Sequence, residues 1–341
     1  MEILIPVLVV GGVGLFFGFG LGIASKKLYV FIDPRIEKIQ SILPNANCGA
    51  CGYPGCGVFA KHLVEGKAQP SDCIPGGAKT ANQVAEILGL GVQTTEPKMA
   101  IVHCKGGKKE AKDRAIYLGL NDCNASVIAG NGSKECENGC LGLGTCVSVC
   151  PFNAITINGN NVAVVNYEIC TGCGKCVSVC PHGIIELIPK VFKIFVACSN
   201  KERGAKVKKY CSIGCTGCTL CVKATPSGAI TMKNNLPVLD YSKEENFISA
   251  KYKCPQKCFA DMAKSRPKAN IDTKCNGCGE CIPACPVKNT ITGEIGSRHT
   301  IDRKKCIGCG LCLNKCPEHA ISLWGGLGYS PDDKSKRQRS F

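Results

Sequence analysis

The sequence is poor in the residues that ordinarily build a protein core. Of 341 residues one is Trp, four are Met and 6% are aromatic. Only five are His, scattered, so neither a histidine metal cage nor a Ser/His/Asp constellation stands out. No strand–Gly-rich loop–helix fingerprint for a dinucleotide occurs, which excludes a flavin or nicotinamide held by the usual turn. Acidic residues are outnumbered 26 to 42, giving a formal charge of +16. That surplus alone would suggest nucleic acid, but the aromatic–basic interleaving of such proteins is missing.

What is abundant is cysteine, 29 residues, together with 40 Gly and 18 Pro. A chain of this length buries enough surface to fold without disulfide staples, so the thiols need another explanation. Thiolate-ligated metal would also change the charge arithmetic. Six four-iron clusters at roughly −2 each would bring +16 down to about +4.

Residues Ile3 to Ser25, ILIPVLVVGGVGLFFGFGLGIAS, carry no charge and are long enough to span a bilayer as a helix. No basic residue precedes the run, and Lys26, Lys27, Arg35 and Lys38 follow it. That flank pattern favours an anchor over a cleaved signal peptide and places the N-terminus outside and the rest in the cytoplasm. Gly14, Gly18 and Gly22 form a smooth stripe against which another membrane helix could pack.

Spacing sorts the cysteines. Cys48, Cys51, Cys56 and Cys73 follow C-x2-C-x4-C with a fourth thiol further on, and glycines let the backbone wrap an inorganic core. Two spaced C-x2-C knuckles, the usual zinc pattern, are absent there. The run CTGCGKCVSVCP (170–181) is C-x2-C-x2-C-x3-C-P, in which three thiolates hold one [4Fe–4S] core and the fourth reaches a second. Its twin, GCLGLGTCVSVCP, has Leu143 where the middle cysteine belongs. With Cys136 as the replacement, the expected sets are Cys136, Cys140, Cys146 and Cys180, and Cys150, Cys170, Cys173 and Cys176. The alternative is a three-iron core beside Leu143.

In the next module Thr225 replaces the cysteine before Pro226, and SKEENFISAKYKCP keeps only Cys254. Both losses remove ligands of the same core, leaving one cluster on Cys215, Cys218, Cys221 and Cys254. The last module, KCNGCGECIPACP and KCIGCGLCLNKCP, is intact. It gives Cys275, Cys278, Cys281 and Cys316, then Cys285, Cys306, Cys309 and Cys312. Six clusters use 24 thiols and leave Cys104, Cys123, Cys198, Cys211 and Cys258. Cys104 (AIVHC), Cys198 (IFVAC) and Cys258 read as buried structural thiols. Both AIVHC and IFVAC precede a basic stretch and then C-x3-C, the mark of an internal duplication.

The expected fold is α+β: a transmembrane anchor (1–27), a small helical four-Cys domain (28–95) with helices at GVFAKHLVEG and NQVAEILGLG, and tandem bacterial ferredoxin-like modules. These are a strand unit plus two-cluster module (99–190), a degenerate one-cluster module (193–262), a two-cluster module (271–325) and a basic tail (326–341). Redox sites in series with no bond-making site describe an electron relay.

The anchor followed by NANCGACGYPGCGVFA, DCIPGG and YEICTGCGKCVSVCPHGII resembles, along essentially the whole chain, the B subunit of the Rnf complex. That complex is a membrane ferredoxin:NAD+ oxidoreductase coupled to sodium or proton translocation. The residues themselves give six [4Fe–4S] clusters with no flavin or NAD on this chain. The resemblance implies soluble ferredoxin as donor, membrane and flavin/NAD-binding subunits as partners, no nucleic acid, and a single-pass location in the cell (inner) membrane. The lysines of 105–114 and 201–209 would then steer an acidic ferredoxin. The other reading is a polyferredoxin relay subunit of a hydrogenase or formate dehydrogenase.

Overall fold

A computed structural model describes residues 4–27, 33–91, 96–225, 227–243, 247–263 and 265–324, with side chains from residue 10 onward. The chain divides into two compact units, residues 1–95 and 96–341. The basic tail and most of the 92–98 linker lie outside the described residues.

The first unit is helical. Helix α1 (Leu4–Lys27) is about 36 Å long at 1.5 Å per residue. Its described apolar side chains, Val10, Leu15, Phe16, Phe17, Phe19 and Leu21 among them, are exposed all around. Nothing lies within 4 Å of a β-carbon built on Gly14, Gly18 or Gly22. Among the described residues no helix is long and apolar enough to cross a membrane. The description of side chains begins at Val10 and Lys26–Lys27 close the helix, so the span expected over Ile3–Ser25 is met by an apolar helix but not by a demonstrated crossing.

Helix α2 (Pro34–Ile42) starts on an Asp33 cap whose carboxylate accepts from the Arg35 amide at 2.8 Å. Helices α3 (Cys56–Val64) and α4 (Gly77–Leu88) pack with it around Ile39, Phe59, Leu63 and Val84. Gly89, in the left-handed conformation, ends α4.

The second unit repeats one small topology three times. In each copy an outer antiparallel pair encloses an inner hairpin. The first copy pairs β1 (Lys98–Val102) with β4 (Ile185–Pro189) around the hairpin of β2 (Ile155–Ile157) and β3 (Ala163–Val165). The second pairs β5 (Ile194–Val196) with β8 (Phe259–Asp261) around β6 (Ile230–Lys233) and β7 (Leu236–Leu239). The third pairs β9 (Lys268–Ile271) with β12 (Ile321–Trp324) around β10 (Ile291–Thr292) and β11 (Thr300–Ile301). Register is equivalent throughout: Val102 faces Ile185, Val196 faces Phe259 and Ile271 faces Ile321.

Two-stranded sheets with helices of four to eight residues do not stand alone in water. Each module's core is accordingly made of β-branched strand residues and cysteines together. The chain must pass close to itself to form these cores. Gly172 has φ +77°, and a β-carbon there would lie 2.5 Å from the Lys98 carbonyl oxygen; its counterpart Gly308 (φ +71°) would meet the Pro267 carbonyl oxygen at 2.3 Å. Gly172→Ala is therefore expected to destabilise the first module by about 1–3 kcal/mol through strain and backbone displacement. The measurement is the temperature at which visible cluster absorption is lost, with Gly159→Ala, where nothing crowds a β-carbon, as the unaffected control.

Candidate metal centres

In the first unit the segment between α2 and α3 coils through Asn47, Gly49 and Gly52, all at positive φ. Asn47 Oδ1 accepts the Cys56 amide at 2.9 Å, pinning the start of α3 over the loop. Cys48 and Cys73 are buried, with Cys51 and Cys56 at the edge of the same core. Burial pushes the Cys73 thiol up to about 11, and like charge from Cys56, Cys48 and Cys51 adds to it. The four thiols expected together are together.

The reciprocal pattern holds in the first and third modules. Burial raises Cys176 to about 12 with Cys170, Cys173 and Cys150 as the neighbouring thiols. Cys312, also about 12, has Cys309, Cys306 and Cys285 around it. The thiol of Cys281, raised by burial, faces Cys275, Cys278 and Cys316. In each case the cysteine before proline comes from the other motif, as the two-cluster rule requires.

The quartet beside Leu143 differs from the sequence expectation. The hollow lined by Cys140, Cys146 and Cys180 takes its fourth thiol from Cys123, and Cys136 does not line it. Cys146, raised to about 12 by burial, has Cys140, Cys123 and Cys180 as its nearest thiols. The cause is local. Asp122 caps helix α5 (Cys123–Gly130), accepting the Ala125 amide at 2.8 Å and the Thr145 hydroxyl at 3.0 Å. Thr145 in turn accepts the Cys123 amide at 2.7 Å, so Cys123 is tied to the residue before Cys146. The sequence signal was the Asp122 cap; nothing in cysteine spacing points there, because the two thiols are 23 residues apart.

In the second module Cys215, Cys218, Cys221, Cys254 and Cys258 line one hollow. Thr225, in place of a cysteine, is buried and donates its hydroxyl to the Cys221 carbonyl at 3.1 Å. Phe247, Ile248 and Ala250 fill the core where the sister modules carry a second quartet. Cys258 is 1% exposed with its sulfur 3.3 Å from Cys254 Sγ. It sits four residues beyond the Cys-Pro cysteine, the place of buried Ala154 and Ala320 in the other modules. Packed against Cys258, both Cys215 and Cys254 are held below the ordinary thiol value and Cys258 above it.

These quartets fit a polynuclear core. The hollows measure about 290 to 370 Å³, and among the described residues no group of three or more Cys, His, Asp or Glu closes around one metal ion. Buried polar atoms also face them without partners among the described residues: His182 Nε2, both His299 ring nitrogens and Thr290 Oγ1. An anionic core with sulfur acceptors is what such donors lack. Backbone amides already approach the ligand sulfurs, Ala100 to Cys170 at 3.4 Å and Ala154 to Cys150 at 3.3 Å, the kind of hydrogen bond that tunes cluster potential. Cys218 and Cys278 are exposed, bringing two quartets to the surface.

Comparison with known proteins agrees with this chemistry. Family models match as a putative Fe-S cluster over residues 43–75, an LdpA Fe-S cluster-binding domain over 144–191, and 4Fe-4S dicluster domains over 214–289 and 274–321. The B subunit of the Na(+)-translocating ferredoxin:NAD(+) oxidoreductase complex of Acetobacterium woodii is 43% identical over 259 residues, covering 76% of this chain and 78% of the relative. Its proton-translocating counterpart from Clostridium ljungdahlii is 43% identical over 71% of this chain and 86% of its own length. The B subunit of the ion-translocating oxidoreductase complex of Methanosarcina acetivorans is 33% identical over 82% and 94%. The chain belongs to the family of B subunits of ion-translocating ferredoxin:NAD+ oxidoreductase (Rnf) complexes, as an iron–sulfur electron-transfer subunit.

Proposed function

We propose that the chain is a membrane-anchored relay that accepts electrons from reduced ferredoxin and passes them to the other subunits of an Rnf-type complex. The observation that carries this reading is the succession of buried thiol quartets, reciprocally shared within modules. When bound, a [4Fe–4S] cluster supplies one-electron transfer at a potential set by burial and hydrogen bonds to sulfur. The chain's part is to hold each core and keep water from it. The ligand sets are Cys48, Cys51, Cys56 and Cys73; Cys123, Cys140, Cys146 and Cys180; Cys150, Cys170, Cys173 and Cys176. The remainder are Cys215, Cys218, Cys221 and Cys254; Cys275, Cys278, Cys281 and Cys316; Cys285, Cys306, Cys309 and Cys312.

Helix α1 serves as a single-pass anchor with its N-terminus outside and the iron–sulfur units in the cytoplasm. Its uncharged run, its two closing lysines and the exposure of its apolar side chains support this. The open stripe of Gly14, Gly18 and Gly22 offers a helix of a membrane subunit close approach. Deleting residues 1–27 should release the chain from washed membranes without altering its visible spectrum; retention on the membrane would overturn the anchor.

The helix Gly204–Tyr210 presents Lys206, Lys208 and Lys209 to solvent, and the Glu202 carboxylate, bonded to Lys206, raises the pKa of that amine further. An acidic ferredoxin is steered by such a surface. Replacing the three lysines with glutamine should slow electron uptake from ferredoxin about tenfold at low ionic strength and flatten its salt dependence. Stopped-flow reduction across a salt series reads both, and unchanged kinetics would remove this face as the docking site.

A further inference from the structure

Four of the five cysteines that the cluster motifs and the Cys123 quartet leave over converge. Cys104, Cys136, Cys198 and Cys211 line a single hollow. The approach is built by backbone pairing. Ala111 bridges to Cys211 and Asp113 to Lys134; the Lys112 amide donates to the Tyr210 carbonyl at 2.8 Å, and the Glu135 amide to the Lys112 carbonyl at 3.0 Å. One extended segment thus draws the stretches carrying Cys136 and Cys211 to its two sides. Cys104 and Cys198 arrive from equivalent places, just past β1 and β5.

Two further observations point to an anionic occupant. Lys134 is 3% exposed and lines the hollow, and its ammonium donates to the Gly106 carbonyl at 2.6 Å. Among the described residues no carboxylate pairs with it. A buried cation without a counter-charge is strongly unfavourable. Asn200, also 3% exposed, donates its side-chain amide to Cys136 Sγ at 3.3 Å. Burial holds Cys104 at about 11 and Cys198 at about 12, as it does the quartets already described.

We propose that Cys104, Cys136, Cys198 and Cys211 hold a seventh iron–sulfur cluster, shared between the two halves of the internal duplication. Each half supplies the cysteine after its first strand and the first cysteine of its C-x3-C. The second cysteine of each C-x3-C, Cys140 or Cys215, belongs to the neighbouring quartet. Contacts run across on both sides: the Cys215 amide donates to Cys198 Sγ at 3.3 Å, and the Cys104 thiol is close enough to Cys140 to feel its charge. The site therefore stands between the quartet of Cys140 and that of Cys215. On the far side Cys309 packs against the core of the second module. Lys105 lines the same hollow. Cys258 alone remains unassigned, as an apolar filler.

This inference rests on the iron–sulfur reading of the chain and is tested by counting. Full-length protein, purified anaerobically and reconstituted with ferrous iron and sulfide, should carry about 28 iron and 28 sulfide, seven quartets of four. About 24 of each would overturn the seventh site while leaving the relay intact; zinc without sulfide would overturn both. Cys136→Ser and Cys211→Ser should each remove up to about four iron, and the double variant no more than either alone, because the losses share one site. Cys123→Ser combined with Cys136→Ser should remove about twice as much. Full iron retention in Cys211→Ser, or additive losses from Cys136→Ser and Cys211→Ser, would refute the assignment. The wild-type count decides the matter even for a variant that fails to fold.

Discussion

The structure turns on desolvated thiols held in groups of four. Burial lifts Cys73, Cys146, Cys176, Cys221 and Cys312 to about 11 or 12, so these thiols are neutral at physiological pH until metal arrives. Cluster ligation needs thiolates, and assembly therefore releases protons and is favoured as pH rises. With its core metal supplied, each quartet replaces hydrocarbon as the centre of a module whose sheets have two strands. This accounts for a chain with one Trp and few aromatics that nevertheless folds.

The modules share more than a motif. Outer strand pair and inner hairpin recur in all three modules, and in the first and third a glycine under the first strand and an amide-to-sulfur hydrogen bond recur at equivalent places. Ala100 donates to Cys170 at 3.4 Å, and its counterpart Ala269 donates to Cys306 at 3.5 Å. Where the repetition breaks, hydrocarbon takes over: Phe247, Ile248 and Ala250 occupy the degenerate half of the second module. The loss is local because each module's strands pair only with each other. What the duplication gained is the hollow between its halves, which neither half could line alone.

Iron–sulfur chemistry, the modular repetition and the separation of an apolar N-terminal helix were legible in the residues. A C-x2-C-x2-C-x3-C-P run dictates its own geometry, since three thiols within seven residues can reach only one core. Equally legible were the glycines at turns and the coherent loss of two ligand groups around Thr225. The leftover C-x3-C pairs and the matching AIVHC and IFVAC segments signalled a duplication, but their purpose did not follow from spacing.

Cysteine spacing by itself determined which thiols lie together on one loop, because three thiols within seven residues can reach only one core. Only tertiary structure decided the ligands that come from afar. Cys136, four residues from Cys140, is nearer in sequence than Cys123 yet lines a different hollow, because strand-like pairing at 111–113 carries it toward Cys211. Cys123 takes its place because the Asp122–Thr145 hydrogen bond fixes a helix start beside Cys146. The choice between two thiols that could each reach a core is made by backbone pairing and helix capping, which act between segments that sequence separation cannot bring together.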